Sequence, residues 1–162
     1  MSAMREVRSF EYVNRPYEEV RAALTADPLE VFRSATRAAA DRVRSLAAEL
    51  RVSVVGVEVG AEIAISVSEV EEVERGPTST PATRIHLEWQ AAEHPRLFPL
   101  MDGVLALYAL TSTETQLDFS GRYDPPFGPL GDALDAVAMG RVAEASVDRF
   151  VKDLAHHLRA GE

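Results

Sequence analysis

The stretch from Phe119 to Val137, FSGRYDPPFGPLGDALDAV, constrains this chain more than any other part of it. Pro125, Pro126 and Pro129 fix φ and withdraw their backbone donors, so no sheet ladder continues through them. Beyond them the chain runs to about Leu158 without another proline. Leu134, Val137, Met139, Ala143, Val147, Phe150, Leu154 and Leu158 recur there near helical spacing. Pro129 suits a first helical position, and Asp132 and Asp135 suit the positive end of the helix dipole. A helix of this extent reaches about 45 Å, enough to cross a whole domain. The stretch therefore reads as a stiff joint between a sheet and one long terminal helix. It is not a phosphate cradle: it lacks a lysine followed by Ser/Thr and the spaced glycines of a dinucleotide fingerprint, and Asp124 and Asp132 repel an anion.

Upstream, Val7 to Val13 alternates and predicts a first strand. Pro16 opens a short helix to about Leu24, with Glu18 and Glu19 in its first turn. Asp27 as N-cap and Pro28 start a second helix, which alanine propensity extends to an end between Asp41 and Glu49. Leu50 to Val59 and Glu62 to Glu74 predict a hairpin around Gly60, and Gly76 to Thr83 a loop. Thr83 to Ala91 alternates, with Ile85, Leu87, Trp89 and Ala91 on one face and Arg84, His86, Glu88 and Gln90 on the other. One dry face and one wet face imply an antiparallel sheet covered on one side. VLALYAL and TQLDFSGRY follow, joined by the polar turn TSTE, with Leu117, Phe119, Gly121 and Tyr123 sharing a face. Glu69, Glu71, Glu72 and Glu74 read as edge or mouth charges that discourage sheet-to-sheet association.

Segregated strands and helices give an α+β class: a curved antiparallel sheet wrapped around a long C-terminal helix, with two short helices after the first strand. The 162 residues show no internal repeat and no linker, so residues 1–162 are expected to form one domain. Cysteine is absent, which excludes disulfides, thiolate metal sites and a cysteine nucleophile and suits a reducing compartment. No signal-peptide core and no bilayer-length apolar run is present, so a cytoplasmic protein with no integral membrane segment is expected. A net charge of −9 argues against nucleic acid and anionic lipid as partners. Arginine far outnumbers the single Lys152, a bias from which a GC-rich, bacterial source is expected.

Several segments together carry a family resemblance: FEYVNRPYEEVRAAL near the start, IHLEWQAAE, FPLMDGVLALYAL, TQLDFSGRYDPPFGPLGDALD, and the tail GRVAEASVDRFVKDLAHHL. Over nearly its whole length the chain resembles the START/Bet v1-like (SRPBCC) superfamily, which also contains polyketide cyclases. The resemblance implies the helix-grip fold and a cavity between sheet and long helix that holds a hydrophobic small molecule or lipid. Catalytic residues differ among members of the superfamily, so none is carried over.

Trp89, Phe98, Met101, Tyr108, Phe119 and Met139 are the residues expected to line such a cavity, since aromatic faces and thioethers suit a ring-shaped or lipid ligand. The same residues would equally fill an ordinary core. His86, on the polar face of its strand, reads first as a solvated histidine and second as a general base. With Tyr108 and Arg122 it makes up the acid/base and oxyanion set of an alternative reading, a polyketide cyclase, aromatase or dehydratase. His156 and His157 are adjacent on a helix and diverge. No H-x₃-H or HExxH spacing occurs, so no metal and no cofactor is expected. Gly140 inside the long helix costs about 1 kcal/mol relative to alanine, which suggests a close approach of sheet backbone or ligand. A homodimer through helices or an edge strand is left open by the sequence.

Overall fold

The computed structural model describes residues 5–26, 28–49, 63–91, 101–123 and 136–159. Their elements are β1 (Arg5–Val13), α1 (Tyr17–Ala26), α2 (Pro28–Glu49), β2 (Ile63–Arg75), β3 (Thr80–Ala91), β4 (Met101–Thr111), β5 (Glu114–Tyr123) and α3 (Ala136–Arg159). The strands form one antiparallel sheet in the order β1-β5-β4-β3-β2. This is the α+β helix-grip arrangement expected from the sequence. The expected strand Leu50 to Val59, and the proline joint itself, lie outside the described residues.

Period-two alternation gives the sheet one inner and one outer face. Thr83, Ile85 and Leu87 of β3, Leu105 and Leu107 of β4, and Leu117, Phe119 and Tyr123 of β5 are all buried on the inner face. Arg84, Glu88, Asp102 and Arg122 are exposed on the outer face. Two helices cover the inner face. α3 packs on β1, α2 packs on β2, and α2 and α3 pack on each other, so the helices bridge the two outer strands. The second helix is not short: α2 has 22 residues against 24 in α3. Its alanine-rich second half continues the helix to Glu49 because nothing in it favours a turn. Between the helices, the ring of Phe150 stacks on Phe32 at 6.2 Å and meets Phe119 edge-on at 5.7 Å.

The direction of α3 is fixed by polar ties. Ser9 donates to Asp148 at 3.3 Å near the middle of both elements, and Arg15 caps the helix end by donating to the Leu158 carbonyl at 2.8 Å. Arg159 reaches the Tyr12 carbonyl and pairs with Glu11 at 3.6 Å. α3 therefore runs alongside β1 in the same direction. At the Val13 end α1 closes the layer, burying Tyr17, Val20 and Leu24.

The hairpin β2–β3 differs from the expected loop. Its turn is only Gly76 to Ser79, closed by the Ser79 amide on the Gly76 carbonyl at 3.1 Å, with φ positive at both residues. β3 starts at Thr80, and Pro81 fits in it because the ladder to β4 begins one residue later, at Ala82. β2 carries an irregularity between Val67 and Glu69. The extra residue, Ser68, shifts the phase of the strand: Val67 and Val70 face Leu87 and Ile85, while Glu69 and Glu71 face His86 and Arg84 on the outer side.

Candidate functional site

The inner face has two unlike ends. At one end, polar groups tie α1 to the sheet. The Tyr17 hydroxyl shares a 2.7 Å hydrogen bond with Thr83 Oγ1, Thr83 donates to Glu72 at 3.2 Å, and Arg21 Nε donates to Glu72 at 2.9 Å. Thr115 Oγ1 donates to the Arg15 carbonyl at 2.8 Å. Buried hydroxyls are satisfied there, and the layer is sealed. The Tyr17 phenol is held above its usual pKa, first by burial and then by the charge of Glu72, against the lowering pull of the Thr83 hydrogen bond and Arg21.

At the other end, the register forms a row Arg5–Tyr123–Met101–Trp89–Ile65, one residue from each strand in sheet order. These positions belong to the same alternate set as the buried Ile85, Leu105 and Phe119. From Asp148 back to Met139, α3 travels about 13 Å, and from Ser9 back to Arg5, β1 travels about the same. Met139 is thus level with the row. For Trp89, Met101 and Met139 it is the backbone position that is described; Tyr123 is buried. Phe98 lies outside the described residues.

The remaining expected residues fall elsewhere. Phe119 is fully buried against Phe150 in the packed core. Tyr108 lies on the outer face, between Ala82 of β3 and Gln116 of β5 in the register. His86 and Arg122 are also on the outer face. His86 Nε2 stands 3.8 Å from Glu71, and Arg122 is 3.6 Å from Glu6 with its side chain 67% exposed. So the polar trio is on the side of the sheet away from α3. Around His86 and Arg122 the outer face forms an open depression of about 790 Å³, floored by Ala82, Val104, Ala106 and Ser120 and rimmed by charges of both signs. Arg8 and Asp118 pair across it at 3.3 Å.

Sequence reasoning did not single out Tyr123 for the row or Glu69 and Glu71 as companions of His86. For Tyr123 a signal existed, its place on the same face as Phe119 in TQLDFSGRY. For the glutamates none did, because their facing depends on the Ser68 shift.

Among the described residues no helix is long and apolar enough to cross a membrane. No protein-family model and no curated protein matches the chain. Among solved structures it is similar to the Zhui aromatase/cyclase from Streptomyces sp. R1128, with 13% identity over 96% of this chain and 94% of that one and a TM-score of 0.47. It is also similar to norcoclaurine synthase from Thalictrum flavum, with 6% identity, 96% and 86% covered and a TM-score of 0.48. A third is Ara h 8.0201, with 10% identity, 98% and 99% covered and a TM-score of 0.44. No site residue is transferred from these structures.

Proposed function

We propose that the chain binds a hydrophobic small molecule or lipid between the sheet and α3, at the end where Trp89, Met101, Tyr123 and Met139 share one level. The observation that carries this reading is the asymmetry of the two ends. α1 and its hydrogen-bonded hydroxyls seal one, while aromatic and thioether residues gather in the register at the other. Such residues offer polarisable apolar surface that adapts to a ring or a chain. A cyclase-type reaction in the same interior would need an acid or base there. His86, Tyr108 and Arg122 face the opposite way, so they do not supply it, and binding is the reading this arrangement favours.

Native mass spectrometry after incubation with fatty acids and polycyclic aromatic metabolites tests it. A retained mass at one ligand per chain is expected, lost in Trp89→Ala and Met101→Ala but kept in Tyr108→Phe. Absence of any retained mass, with no ligand-induced rise in melting temperature, overturns it.

A further inference from the structure

We propose that Glu69, Glu71 and His86 form a second site, on the outer face of the sheet, for one divalent cation of the zinc or manganese kind. One ligand atom from each of the three side chains lies within 4.8 Å of the other two. Metal–ligand distances of about 2.0–2.2 Å bring donors somewhat closer than this, a contraction that small rotations of the two glutamate side chains supply. The Glu71 Oε1 to His86 Nε2 separation is already 3.8 Å.

Two strands hold the set. His86 on β3 faces Glu69 on β2 directly across the ladder, and Glu71 follows two residues along β2 on the same face. Ladder positions fix ligands better than loops do. The Ser68 irregularity is what brings both carboxylates to the histidine's side, since an uninterrupted strand would turn them to the inner face. His86 and Glu71 are sheltered, with side chains 28% and 35% exposed. One imidazole and two carboxylates suit zinc, manganese or iron(II) better than calcium or magnesium. Arg84 faces Glu71 across the same ladder, and the two carboxylates outweigh its single positive charge. Three protein ligands leave a coordination position for water, and His86 also lines the outer depression, which gives that position room.

The test is isothermal titration of the full chain, stripped with EDTA, against Zn²⁺ and Mn²⁺, with Mg²⁺ and Ca²⁺ for comparison. One Zn²⁺ per chain is expected to bind saturably, and Mg²⁺ and Ca²⁺ far more weakly. His86→Ala and Glu71→Gln should each weaken Zn²⁺ by at least about tenfold, while Glu88→Gln, an exposed carboxylate on the same face outside the set, leaves it unchanged. Circular dichroism accompanies each variant. Should His86→Ala fail to fold, Glu69→Gln and Glu71→Gln carry the test, because both side chains reach solvent. No saturable Zn²⁺ binding, equal binding by the ligand variants, or an equal loss in Glu88→Gln overturns the proposal. Retention of an apolar ligand is read separately, since that site is on the other face.

Discussion

Gly103 lies beneath the ring of Phe119: a Cβ at Gly103 would stand 2.5 Å from Phe119 Cζ and 2.9 Å from Cε2. Gly103 faces Gly121 across the β4–β5 ladder, so the sheet has no side chain at two neighbouring inner positions. The Phe119 ring covers the first of them and carries the contact on to Phe150 of α3. Gly103→Ala forces a ring out of its place in a packed core, which costs about 1–3 kcal/mol. Urea unfolding reads the loss. In the double variant Gly103→Ala/Phe119→Leu the two effects are expected to be non-additive, because the smaller side chain removes the clash. Strict additivity would mean that the ring and the glycine do not touch.

Phe150 is the centre of the stack that joins both helices to the sheet, with Phe32 on one side and Phe119 on the other. It is fully buried. Phe150→Ala removes the ring and leaves a cavity, at a cost of about 3–5 kcal/mol. Phe10→Ala, on a ring 58% exposed on the outer face, is the contrast, with an expected change within about 0.5 kcal/mol. Thermal unfolding of the two variants side by side checks the ranking.

How far the sequence announced these relationships depends on the local contrast between faces. In β3 the alternation of Arg84, Ile85, His86 and Leu87 was plain, and the structure keeps it. In VLALYAL every residue is apolar or nearly so, and periodicity therefore carries no sign of which face is inward. That is why Tyr108 reads as a cavity residue in sequence and stands on the outer side in the fold. The helix α2 illustrates the reverse case. Its alanine-rich half has strong helix propensity, and α2 packs on α3 and β2, so the helix runs on to Glu49. The Glu69–His86 pairing belongs to a third kind. It joins two strands through a register that Ser68 resets, and metal-ligand spacing rules that look along a single helix or loop do not detect it.

The seal between α1 and the sheet gives a pH signature. The phenol pKa of Tyr17 is raised above 10.0, chiefly by burial. The folded state therefore holds the proton more tightly than the unfolded one. The stability this contributes is fully present below pH about 10 and is lost as pH rises through the higher folded value. Tyr17→Phe removes the ionisable group, so its stability should fall less steeply above pH 10 than that of the parent chain. At neutral pH the same variant loses a hydrogen bond to buried Thr83 and costs about 1 kcal/mol. Urea midpoints measured from pH 7 to 11 on both proteins separate the two effects. Parallel curves above pH 10 would show that the phenol ionises freely.

Gly140→Ala tests whether a ligand between the sheet and α3 reaches this turn of the helix. Among the described residues, a Cβ built at Gly140 meets nothing within 4 Å, so close approach of the sheet backbone does not explain the glycine. Relative to alanine, glycine inside a helix costs up to about 1 kcal/mol. Gly140→Ala is therefore expected to raise stability by up to about that amount in the ligand-free chain. Gly140 adjoins Met139, at the level of the Trp89–Met101–Tyr123 row. A bound apolar molecule that reaches α3 there would meet the new methyl group. The variant should then melt at a higher temperature without ligand, yet gain less from added ligand than the parent does. Equal ligand-induced shifts in parent and variant would place the bound molecule away from this turn of α3, and a loss of stability without ligand would mean that the methyl group clashes inside the free protein.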